Sequence, residues 1–105
     1  MLNENTIFTL ILHSGDARSK SMNGIKLARQ ANFDEALELI NEAGKDLNKA
    51  HQIQSELINN EINGNKTEIS LLMVHAQDHL MTSMVVRDLA KEMILMKKED
   101  SCKSV

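Results

Sequence analysis

The chain has 105 residues and a formal charge of −3 with its Lys and Arg scattered, so it makes one domain with no basic face for nucleic acid. It lacks proline, Trp and Tyr, and is rich in Leu, Ala, Met, Glu, Lys and Gln, which excludes a strand-rich fold and predicts an all-α domain. Its single cysteine, Cys102, cannot close an internal disulfide, and no apolar run approaches the length that spans a bilayer, so the cytosol is the expected location.

The first predicted helix covers about residues 3–30. Its short apolar run Ile7–Leu12 follows Asn and Glu, not Lys or Arg, and reads as a helix start, not a secretory signal. The expected buried stripe is Ile7, Leu10, Ser14, Ala17, Ser21, Gly24 and Ala28, large at its start and small thereafter. Small residues let a second helix approach closely. The second helix covers about 33–60, with Asn32 as its N-cap and Asp34 and Glu35 in the first turn, where they suit the helix dipole. Phe33, Ala36, Ile40, Ala43, Leu47, Ala50, Gln54 and Leu57 form a heptad-like seam, which favours near-parallel packing of long helices.

Residues 61–66, with Gly64 between two asparagines, are the clearest loop, and Thr67 is the expected cap of a third helix over about 67–98. Short connections make neighbours antiparallel, so the sum is an up-down-up three-helix bundle. The third helix carries two stripes. One is Ile69, Leu72, Ala76, His79, Ser83, Val86, Ala90 and Met93; the other is Leu71, His75, Asp78, Thr82, Val85, Leu89 and Met96. Two stripes exceed what one side of such a bundle needs. Either this helix is the most buried, or its second stripe meets another subunit. In the second case copies of Asp78 meet near a symmetry axis and repel unless a cation or protons neutralise them.

Inside this helix His75, Asp78 and His79 stand at i, i+3 and i+4, and project from nearly one side. Three readings compete. The histidines can be hydrogen-bonded packing residues. They can chelate zinc from one helix, although the metalloprotease pattern His-Glu-x-x-His has Ala76 where its glutamate is needed. Or a neutral imidazole can attack phosphorus and carry a phosphoryl group, with His79, Gln77 or Thr82 donating hydrogen bonds to the phosphoryl oxygens. Spacing does not choose between the last two.

The stretch from His75 to Met84, HAQDHLMTSM, closely resembles the active-site helix of the IIA component of the lactose/cellobiose (chitobiose) branch of the bacterial phosphoenolpyruvate-dependent sugar phosphotransferase system. SGDARS from Ser14 to Ser19 resembles that family's first-helix motif, and LNKAHQIQ from Leu47 to Gln54 its second. The resemblance spans roughly residues 6–96, in order and at fitting separations. It implies three-helix subunits assembled as a homotrimer. It implies that His75 accepts a phosphoryl group from HPr, on the ring nitrogen remote from the backbone, and passes it to a cysteine of the IIB component. The IIC permease then delivers a β-disaccharide of the lactose, cellobiose or chitobiose type. It also implies that Asp78 of three subunits shares one divalent cation, Mg2+, and that His79 and, less directly, Gln77 contact the phosphoryl group.

Two rival functions stand beside this one: a non-catalytic helical oligomerisation module, and a zinc-binding bundle using His75 and His79. Among the remaining residues, His51 is expected to be buried or half-buried beside the helix-two seam, and His13 to be structural or exposed. Gln54 is expected to bond across helices or across an axis, and the methionines to fill core and interface space.

Overall fold

The computed structural model describes residues 4–66 and 68–103, and these form three α-helices, with no strand among the described residues. Helix α1 spans Glu4–Arg29, α2 spans Phe33–Ile62 and α3 spans Leu71–Lys103. They pack as an up-down-up bundle measuring 60 × 21 × 18 Å, so every turn lies close to the surface and a single layer of side chains must make the core.

The α1 stripe is buried over its whole length, Ile7, Leu10, Ser14, Ala17, Ser21, Gly24 and Ala28 alike. Its small members give no oily mass but allow close contact. The two buried hydroxyls are satisfied within the helix: Ser14 Oγ donates to the Leu10 carbonyl and Ser21 Oγ to the Ala17 carbonyl, each at 2.7 Å. The α2 seam buries Ala36, Ile40, Ala43, Leu47 and Ala50, with Phe33, Gln54 and Leu57 half-buried at its ends. Beside the seam Lys20 Nζ donates to Asp46 Oδ2 at 2.7 Å. That bond holds the ammonium above its ordinary value of 10.5, so its contribution is present at neutral pH and fades only as pH rises beyond that value.

The two connections share one design. At the end of α1, Asn32 N–H donates to the Leu27 carbonyl at 2.9 Å and Ala31 N–H to the Ala28 carbonyl at 3.0 Å. At the end of α2, Asn65 N–H donates to the Asn60 carbonyl at 2.8 Å and Gly64 N–H to the Glu61 carbonyl at 3.1 Å. Both are Schellman closures, which need a left-handed residue at the position after the cap. Gly64 meets that need with φ +90°, but at the first connection it falls to Ala31, with φ +63°. An L-residue there costs about 1–2 kcal/mol. Ala31→Gly is therefore expected to raise stability by about 1 kcal/mol, read as a later urea midpoint with an unchanged slope.

Asn32 is the N-cap of α2 as expected, and two other helix ends differ from expectation. Asn32 precedes α2 and its carbonyl accepts from Ala36 N–H at 3.0 Å, but its side chain makes no capping bond. Helix α3 starts at Leu71, not near position 67, because Ser70 takes the cap: its Oγ accepts from Met73 N–H at 3.1 Å and its carbonyl from Val74 N–H at 3.0 Å. Thr67 lies outside the described residues. The helix also continues past position 98 to Lys103.

The phase of α3 also differs from the first stripe read from sequence. Ala76, Ser83 and Ala90 are buried as expected, but their partners in the core are Met73, Leu80 and Ile94, while Ile69 and Met93 are exposed. The third helix rests in the groove between α1 and α2. Its buried centre therefore faces between them, and His79 and Val86 fall at the edge, half-buried. The second stripe, Leu71, His75, Asp78, Thr82, Val85, Leu89 and Met96, is exposed throughout. Leu71 is 85%, Val85 57% and Leu89 55% accessible, so apolar side chains flank His75, Asp78 and Thr82 on a face that single soluble domains seldom leave open.

Candidate functional site

The first turns of α3 carry the chemistry. His75 is exposed and His79 is half-buried. Their rings stack, with centroids 5.7 Å apart and planes 12° from parallel. The i, i+4 spacing makes this possible, since it places one ring a turn above the other on the same strip of helix. His79 leans toward α1. Its Nε2 lies 3.4 Å from the place a β-carbon would occupy on Gly15. His75 thus offers a ring to solvent, while its neighbour is backed by a second helix.

Near-parallel planes also bear on metal binding. Imidazole lone pairs lie in the ring plane, and two stacked rings aim theirs side by side, not at one point. Among the described residues no group of three or more His, Cys, Asp or Glu comes together as a metal cradle. The zinc reading of His75 and His79 therefore has no support in the geometry of one protomer.

Asp78 is exposed, and no basic side chain among the described residues pairs with it. It sits about 60° around the helix from His75, on the side away from His79, in the middle of the apolar strip. One protomer gives a cation a single carboxylate here. Hard oxygen donors suit Mg2+ or Ca2+, but several must converge. Only copies of Asp78 meeting at an axis would supply them.

Gln77 and Thr82 are not brought to His75. Gln77 faces α2, where its Oε1 accepts from Gln54 Nε2 at 2.6 Å, a bond across helices that also explains why an amide interrupts the α2 seam. Gln54 Nε2 lies 3.5 Å from Met81 Sδ as well. Thr82 Oγ1 is engaged with its own helix, donating toward the Asp78 carbonyl at 2.9 Å and the His79 carbonyl at 3.3 Å. His51, expected to be buried or half-buried, is exposed, with Nδ1 3.5 Å from Ser55 Oγ. It lines an open groove of about 390 Å³ between α2 and α3, with Asn41, Asn48, Met84 and Arg87, away from the stacked pair. The residue that sequence reasoning missed is Gly15. It lay inside a quoted motif, but only the fold sets it against His79.

Comparison with known proteins shows the family. Residues 5–98 match the family model described as the lactose/cellobiose-specific IIA subunit of the phosphotransferase system. The chain is 50% identical over 91 residues to the lichenan-specific phosphotransferase enzyme IIA component of Bacillus subtilis, covering 87% of this chain and 83% of the relative. Its fold superposes on the cellobiose-specific enzyme IIA of Bacillus anthracis with a TM-score of 0.92 at 44% identity, covering 99% of this chain and 97% of the other. It also matches the IIA subunit in the IIA(chitobiose)–HPr complex of Escherichia coli, with a TM-score of 0.81, 38% identity, and 93% and 95% coverage. Three helices in this order, a family match over residues 5–98 and 50% identity over 91 residues identify the chain as a member of the lactose/cellobiose-specific IIA family of the sugar phosphotransferase system.

Proposed function

We propose that this protein is a phosphocarrier that takes a phosphoryl group from phospho-HPr onto His75 and passes it to a cysteine of a cognate IIB component. The observation that supports it best is the stacked pair: an exposed imidazole backed by a half-buried one. The IIA(chitobiose)–HPr complex among its structural relatives supports the choice of donor.

The chemistry needs little from the protein beyond position and charge. The Nε2 lone pair of His75 attacks phosphorus in line. The N–P bond to the donor histidine breaks, and its electron pair returns to that ring. As His75 becomes N-phosphorylated it releases its Nδ1 proton, and the donor imidazole takes one up, so the proton inventory is unchanged. In the second transfer the thiolate of IIB attacks phosphorus and an S–P bond forms; the N–P bond to His75 breaks, its electron pair stays on Nε2, and Nδ1 takes up a proton in place of the one the IIB thiol released. His79 is the neighbouring group placed to bond a phosphoryl oxygen. Gln77 can do so only from another subunit, because its own protomer turns it toward Gln54. Phe8 and Leu12, exposed on the strip of α1 that carries Gly15, offer apolar contact to the two protein partners.

The same reading makes the active unit a trimer on the cytoplasmic side of the membrane. The open strip of α3 supports it, since three copies would cover one another's apolar surface. Three Asp78 carboxylates on that axis would hold one divalent cation, for which Mg2+ fits the oxygen donors. The cation would neutralise them, and no step of the transfer passes through it. The carried sugar is a β-linked disaccharide delivered by IIC, and its identity is set by IIB and IIC.

The test is incubation with phosphoenolpyruvate, enzyme I and HPr, followed by intact mass. A gain of one acid-labile phosphoryl group, lost again on adding IIB, is the expected result. An unchanged mass beside a labelled control IIA would leave the oligomerisation module in its place.

A further inference from the structure

We infer that Gly15 is a positioning residue for the phosphoryl-accepting histidine: its missing β-carbon leaves the berth on α1 in which the His79 imidazole lies against His75. This inference rests on the reading of His75 as acceptor.

Glycine inside a helix is destabilising relative to alanine, so its presence in mid-helix needs a reason. Backbone conformation is not the reason. Among the glycines only Gly64 has positive φ, and Gly15 sits within the regular turns of α1. Core packing is not the reason either. A β-carbon on buried Gly24 would stand 3.2 Å from the Ala36 carbonyl oxygen and 3.3 Å from Ile94 Cδ1, so that glycine lets two helices meet. A β-carbon on Gly15 would have a single near neighbour outside its own helix, His79 Nε2 at 3.4 Å. The space is filled by the edge of one imidazole.

That imidazole is the one stacked on His75, 12° from parallel. The order of contact is therefore α1 backbone, His79, His75. His79 has α1 on one side and the acceptor ring on the other, so its plane cannot shift without changing what His75 packs on. Alanine at position 15 would still meet the ring at ordinary contact distance but would remove the slack. Leucine would push the ring out of its berth.

The experiment uses the full chain with enzyme I, HPr and phosphoenolpyruvate, and compares Gly15→Ala, Gly15→Leu, His79→Ala and the double variant Gly15→Leu/His79→Ala. Imidazole nitrogen and proton NMR signals are recorded for each. Both single Gly15 variants should move the ring signals of His79 and, to a smaller degree, His75, while those of His51 stay fixed. Gly15→Ala should melt no lower than wild type. Gly15→Leu should slow labelling by about ten-fold or more, within the roughly hundredfold that a 1 Å misplacement brings. In the His79→Ala background the same leucine should change the rate less than about twofold, because a residue acting through His79 has nothing left to act on. Equal losses from leucine with and without His79, or unmoved His79 signals in a folded Gly15→Leu, overturn the inference. If the leucine variant does not give a helical spectrum, the ring signals of Gly15→Ala decide, and unmoved His79 signals there overturn the inference as well. If wild type takes up no phosphoryl group, the acceptor reading fails instead, and the ring signals alone decide whether Gly15 holds His79.

Discussion

His75→Ala is expected to leave no detectable phosphoryl transfer, while His79→Ala slows it by about 10²-fold and His51→Ala leaves it unchanged. The first loss is complete because the nucleophile is gone and no other ring can replace it. His79 is half-buried beside α1 at Gly15 and lacks the open approach from solvent that His75 offers to an in-line phosphoryl donor. The second loss has the size seen when one preorganised hydrogen-bond donor to a charge-bearing transition state is removed. The third variant leaves the pair untouched, because His51 sits on the α2–α3 groove. The check is quenched-flow labelling from phospho-HPr for all three proteins, with circular dichroism showing an unchanged helical spectrum. Residual transfer in His75→Ala that disappears in the double variant His75→Ala/His79→Ala would move the acceptor to His79.

The sequence carried the core of this bundle further than its ends. The α1 stripe is legible although five of its seven members are Ser, Gly or Ala, because spacing, not hydrophobicity, marks a face that another helix approaches closely. Every member of it is buried. The α2 seam is legible for the same reason. The start of α3 was misplaced because both Thr67 and Ser70 are good caps, and choosing between them depends on where the chain comes free of the Gly64 turn. The apolar stripe of α3 was misphased because Leu, Met and Val occur all round this helix. Periodicity then has little contrast, and burial is decided by the groove between α1 and α2.

The candidate site divides in the same way. His75 and His79 were legible as a pair because i, i+4 spacing is local geometry, and the stacked rings follow from it. Gln77 was grouped with them by its place in the motif. Yet two residues along a helix is about 200° of rotation, and that points it at α2 and Gln54. Gly15 was illegible as part of the site because it contributes no side chain. Its role exists only once α1 and α3 lie side by side.

In the trimer proposed above, Asp78→Leu is expected to keep three subunits together and to stabilise them by about 1–4 kcal/mol per trimer, with labelling at His75 retained. Leu71, Val74, Met81, Val85 and Leu89 are all at least half exposed on the protomer, and Asp78 stands among them. If that strip is covered by its own copies, three carboxylates approach each other in apolar surroundings. The cost of burying them exceeds what a single cation or shared protons return, and exchanging buried charges for well-packed apolar side chains commonly stabilises by this amount. His75 lies about 60° away around α3 and should be unaffected. Chelation separates the two proteins: excess EDTA should lower the melting temperature of the wild-type trimer and leave that of Asp78→Leu where it was. Sedimentation analysis with and without chelator reads both effects. Monomeric Asp78→Leu, or a wild-type trimer indifferent to chelation at neutral pH, would place Asp78 away from the axis and leave the open strip of α3 to some other partner.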